Sequence, residues 1–153
     1  LLSLGMSAWL SAQAAAMRQS RINQNLSMAM MLAADLAERL RASPLQAEGL
    51  ALQLASAAST SASPASCSQG SCDAAAWAAA DASQWRLALQ QALPQAWAQL
   101  RPDASGRSCL LMLAWREPGA QDLLQDAPAY LRCPVGLPDG AVGWRCLSLG
   151  LAW

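Results

Sequence analysis

Residues 18–44 read RQSRINQNLSMAMMLAADLAERLRASP, and this run decides the fold. Ile22, Leu26, Met30, Ala33, Ala37 and Leu40 recur at steps of three and four, which lays one apolar stripe along an α-helix. Asp35 stands four residues before Arg39, an order that supports a helix by roughly a few tenths of a kcal/mol. Ser43-Pro44 ends the run, because proline disfavours helical geometry in the residue before it. Upstream the pattern continues without a break. From Leu1 to Ala42 there is no proline, no cysteine and a single glycine, Gly5. Alanine, leucine, methionine, glutamine and arginine dominate, all good helix formers. At about 1.5 Å per residue such a helix is on the order of 60 Å long. A chain of 153 residues folds into a globule too small to cover it, so part of the helix must project.

The helix changes character along its length. Leu1 to Met17 carries no charge, and Arg18 onward is amphipathic. The uncharged part is interrupted by Ser3, Ser7, Ser11 and Gln13, and it falls just short of the roughly 20 residues a bilayer span needs. Two readings stand at this point. One is a buried core helix or half of a bundle; the other is the C-terminal part of a membrane helix. Either way the chain divides into a helix, residues 1–42, and a globular part, residues 43–153.

Composition closes most enzymatic routes. There is no histidine, and all ten basic residues are arginine. That excludes a Ser-His-Asp triad, a Cys-His dyad, a His-ligated metal, a P-loop lysine and a Schiff base. Asp122 and Asp126 sit four apart, but with no base, metal ligand or glycine loop beside them. No catalytic set, cofactor or metal is expected. Net charge is zero, which argues against a broad electrostatic grip on nucleic acid or an anionic surface.

Five cysteines stand at 67, 72, 109, 133 and 146. Cys67 and Cys72 bracket CSQGSC, a spacing that zinc sites also use, but the second pair or histidines of such a site are missing. A small-loop disulfide is the better reading, and it implies an oxidising compartment. The alternative is a pair of reduced surface thiols in cytosol. Cys133 with Cys146 is the expected second bridge, leaving Cys109 over.

Residues 55–66, ASAASTSASPAS, are too small and polar to pack a core and read as an exposed loop. Asp73 is a fitting N-cap for a second helix, in which Trp77, Ala80, Trp85, Ala88, Leu89 and Ala92 share a face that ends at Pro94. Both tryptophans are expected to pack in the core. Ala96 to Arg101 alternates loosely, and Cys109 to Glu117, CLLMLAWRE, is a strand between Gly106 and Pro118. Alternation puts Cys109, Leu111, Leu113 and Trp115 on one of its faces. The opposite face is also apolar near its middle. Trp115, a large aromatic just before a charged pair, is assigned to the inner side, against the second half of the long helix. The interval to Pro138 is loop-like, with a possible helical stretch at Ala120 to Asp126. Asp139-Gly140 marks a turn and Trp144 to Trp153 a last strand. The class is α+β, a long helix packed on a small antiparallel sheet, with a second short helix between them.

A helix that starts almost apolar, turns amphipathic and ends DLAERLRASP (35–44) resembles the type IV pilins, and more narrowly the PilV-type minor pilins. The Cys67–Cys72 spacing, Asp81 followed by Trp85-Arg86, Leu93-Pro94, and the strand ending Ala114-Trp115-Arg116-Glu117 are similar to that family too. The leader, its cleavage glycine, the methylated phenylalanine and the docking glutamate of a pilin are not in this sequence. It is expected to begin a dozen or more residues inside the mature helix.

The resemblance implies a protein that does no chemistry and takes part in priming pilus assembly. Its helix would rest in the inner membrane, with the globule on the periplasmic side, and later pack in the filament. Leu2, Met6, Leu10, Ala14 and Met17 would form the assembly face, and the partners would be other minor pilins and the major pilin. A type II secretion pseudopilin shares the architecture. A disulfide-bonded periplasmic binding module, with Trp97, Trp144 and Trp153 as an aromatic platform, is the alternative from another class.

Overall fold

The computed structural model describes residues 2–42, 47, 49–50, 72–104, 107–117, 128–134, 137 and 143–152; in the first turns of the helix it describes side chains only at Met6 and from Trp9 onward. The 55–66 loop, Cys67, the stretch 120–126 with its two aspartates, the Asp139-Gly140 turn and Trp153 lie outside the described residues.

Helix α1 runs from Leu2 to Ala42, 41 residues without interruption. Its buried line is Ala29, Ala33, Leu36, Ala37 and Leu40, with Leu26 and Leu32 packed at its edge. Three alanines in that line bring the backbone close to what it packs on. Met30, assigned to this stripe from its spacing, is instead 53% exposed. It stands about 100° round the helix from Ala29, which takes the inward place.

Helix α2 spans Ala74–Ala92. The Asp73 carboxylate accepts a hydrogen bond from the Ala76 amide at 2.7 Å and so caps the first turn. Ala78, Ala82, Trp85 and Leu89, four, three and four apart, form its buried face. Trp77, expected in the core with Trp85, is 50% exposed. The alanine line at 78 and 82 sets the contact side, and Trp77 falls round the corner from it. Gly49 belongs to the same approach: a Cβ there would stand 3.3 Å from that of Ala78. After Leu93 the chain reverses through Gln95, whose φ of 49° is left-handed, into the sheet.

Three antiparallel strands follow in spatial order β1 (Trp97–Pro102), β2 (Ser108–Arg116) and β3 (Trp144–Ala152). Trp97 lies opposite Ala114, and Trp115 opposite Arg145. Cys109, Leu111, Leu113 and Trp115 of β2 join Leu147 and Leu151 of β3 in one core with α1 and α2. Trp115 is 2% exposed, on the inner side. On the outer face Met112 is buried as well, and the end beyond it is covered. There Ala114, Trp144, Cys146 and Leu137 make a second, smaller core, whereas Leu110 at the other end is exposed. Burial on both faces at one end explains why CLLMLAWRE reads apolar in both phases. The covering segment includes a short 3-10 turn, Ala129–Leu131, and is tied to β3 by the Cys133–Cys146 disulfide.

Candidate assembly surface

α1 has two halves that differ in what touches them. From Trp9 to Arg21 every residue is exposed, and Ile22 is the first that is half-buried. Met6, Leu10 and Met17 are 68%, 59% and 61% exposed, and Ala14 between them is exposed as well. The side chain of Leu2 is outside the described residues. Steps of four and three keep these positions on one face, and at about 100° per residue that face lies well away from the buried line through Ala29 and Ala33. Trp9 borders the face at 61% exposure, and Met31, at 66%, continues its line into the supported half. Neither figured among the candidate residues. Spacing from Met6 and Met17 was the available signal, but a sequence with apolar residues all round a helix does not say which side stays open.

Among the described residues no helix is long and apolar enough to cross a membrane. No group of three or more metal-ligating side chains is found there either. Of the tryptophans read as an aromatic platform, Trp144 is buried at 3% exposure in the small core, Trp97 is half-buried beside it, and Trp153 lies outside the described residues.

The DLAERLRASP end of α1 has a tangible task. Arg39 bonds Asp35 on its own helix through Nε at 2.9 Å, and its Nη1 bonds Asp81 of α2. Gln84 accepts from the same guanidinium at 3.4 Å. Burial of the guanidinium disfavours its charge, but the bonds and charges of Asp35 and Asp81 outweigh that and raise the Arg39 pKa. One turn along, the Trp85 indole N–H donates to the Leu32 carbonyl at 2.9 Å. These contacts run antiparallel along the two helices and lock α2 onto the supported half of α1.

Residues 11–83 match the family model described as Tt1218-like, type IV pilin Tt1218. Over that stretch the chain resembles a type IV pilin. The match takes in the candidate face from Ala14 onward and Arg39 with Asp35 and Asp81, and it stops before Gln84, Trp85 and the sheet. No curated protein and no solved structure matches the chain. The pilin likeness and the long helix on a small antiparallel sheet agree with one another.

Cys109 is a free thiol, 3% exposed on the inner face of β2. Burial pushes its pKa up from 9.0 to about 11, so it is held as an unreactive thiol. At pH 8 it is expected to resist iodoacetamide in the native protein and to react in denaturant. Folded and unfolded chains both hold this proton below pH 9, so its contribution to stability is complete there. As pH rises through the window to about 11, the unfolded chain releases the proton first, and that contribution is lost. Denaturant melts should therefore fall more steeply over that range in the wild type than in Cys109→Ala. Native labelling of Cys109, or equal slopes, would contradict its burial.

Proposed function

We propose that this chain is a minor pilin of the PilV type that primes filament assembly. The observation that carries the reading is that the uncharged part of the helix, which ends at Met17, has every side chain from Trp9 onward exposed among the described residues. The side chains of Met6, Trp9, Leu10 and Met17 stand more than half exposed, and burying them yields roughly 25 cal/mol per Å². Apolar surface of this kind on a projecting rod suits packing among like helices, or residence in the inner membrane before assembly, with the globule on the periplasmic side. The pilin likeness of residues 11–83 supports the same reading. Other minor pilins and the major pilin are the partners it needs, and no chemistry is asked of it.

The test compares one substitution in two places. Leu10 and Leu87 are both exposed leucines, one on the projecting half of α1 and one on α2 of the globule. A charge at membrane depth costs about 2.5–3.5 kcal/mol, and a charge on an exposed globule surface costs little. The complete gene carrying Leu10→Asp is expected to leave its null strain almost bare of surface pili, whereas Leu87→Asp restores them. Equal piliation by both variants, or normal piliation in the null strain, rejects the priming role.

Export also bears on the cysteines. Cys72 is disulfide-bonded, Cys133 is bonded to Cys146, and Cys109 is free. Cys67 is proposed as the partner of Cys72, closing the CSQGSC loop. Peptide mapping of exported protein without reductant should recover the two cysteines linked, and alkylation of both thiols would refute the pairing. The loop is short, so the bridge contributes only on the order of 2 kcal/mol.

A further inference from the structure

β2 runs into Trp115-Arg116-Glu117, a motif that neither the assembly face nor the Arg39 clamp uses. Alternation turns Trp115 and Glu117 toward α1 and Arg116 to the other side, where its guanidinium carbon lies 5.0 Å from the centre of the Trp144 ring. Glu117 is 5% exposed. A carboxylate so deeply placed is costly unless it is paired and hydrogen-bonded. Its backbone is held by an N–H bond to the Gly143 carbonyl at 2.9 Å, and Gly143 meets it in a left-handed conformation, φ 74°. Its side chain has one hydrogen bond and one close opposite charge, with Oε2 and the Arg145 Nε making no hydrogen bond among the described residues. Oε1 accepts from the Asn25 amide of α1 at 3.4 Å, and Oε2 faces the Arg145 Nε of β3 at 3.5 Å.

The position of Asn25 gives this cluster its meaning. On its N-terminal side, Trp9 to Arg21 are all exposed among the described residues; on its C-terminal side begins the apolar line of the core. Apolar contact is non-directional and tolerates a helix rolling or sliding in its seat. A buried carboxylate tied to one amide is directional, and breaking it leaves polar atoms stranded. We propose that Asn25, Glu117 and Arg145 form a latch that fixes where α1 leaves the globule and the direction in which its projecting half points. From Asn25 to Trp9 is about 24 Å of helix, so a tilt of about 10° at the latch moves Trp9 by about 4 Å. This role does not depend on what the projecting half assembles with.

The latch can be tested on the full chain by amide residual dipolar couplings, which report the orientation of α1 relative to the sheet. In the wild type, amides of residues 9–24 and of the three strands should fit one alignment tensor with one degree of order. Asn25→Leu, Asn25→Asp and Glu117→Gln should each lower the order of residues 9–24 at least twofold and leave the strands unchanged. Combining Asn25→Asp with Glu117→Gln exchanges acid and amide, keeps the net charge of the cluster, and should restore a single tensor. A single tensor in all three single variants overturns the latch, as does a double variant no better than its parents. Loss of the strands' own signals in the Asn25 variants overturns it too, since Asn25 would then be part of the core.

Discussion

Trp85→Ala lowers the unfolding free energy by roughly 3–5 kcal/mol, the cost of emptying a large aromatic site in a core. Trp85 is fully buried and is the largest side chain that α2 places in the core with α1. Two effects add up there. Removing the ring empties a large site in the core that Trp85 shares with Ala29, Ala33 and Leu36, and removing the indole N–H ends the 2.9 Å bond to Leu32. In a chain of this size the loss corresponds to a fall in melting temperature of about 10 °C. Trp85→Phe separates the two effects: it keeps most of the ring and loses the donor, at about 1 kcal/mol for the hydrogen bond plus the volume change. Calorimetry of both variants checks this. An alanine variant that melts with the wild type would show that α2 is not docked on α1 as described.

Trp115→Ala is expected to cost a similar roughly 3–5 kcal/mol, but for a different reason and with a different response to phenylalanine. Trp115 is 2% exposed on the inner face of the central strand, packed in the same core as α1 and α2. Its indole nitrogen is buried with no hydrogen-bond partner among the described residues. Phenylalanine at this position forfeits no hydrogen bond and removes a stranded donor, which offsets part of the lost volume. The phenylalanine variant should therefore be distinctly milder at 115 than at 85. Equal penalties for the two phenylalanine variants would mean that Trp115 has a partner after all, and an alanine variant with unchanged melting would place its ring in solvent.

Much of the architecture was legible in the residues because it rests on local rules. The long helix follows from 42 residues without proline and from the three-and-four spacing of its apolar side chains. The second helix was marked at its start by Asp73, whose carboxylate does cap it. The central strand was marked by its apolar run between Gly106 and Pro118, and the order helix, helix, strands followed. Where the reading failed, the choice was between apolar residues a fraction of a turn apart. Met30 and Ala29 are both apolar and adjacent, and only the body packed on α1 decides that the small one goes in. Trp77 lost its expected place to the alanine line of α2 in the same way, and Trp144 went the other way, from platform to core.

What the sequence by itself determined is the set of elements and the chemistry the chain lacks. Helix periodicity, capping and strand alternation act between near neighbours, and the absence of histidine and lysine is a matter of composition. Tertiary structure alone decided which half of α1 is covered, that Arg39 reaches across to Asp81, and that Glu117 is buried between Asn25 and Arg145. Those pairings join residues 42, 92 and 28 positions apart. No local spacing encodes them, because they exist only once apolar burial has brought α1, α2 and the sheet together and the remaining polar groups have had to find partners.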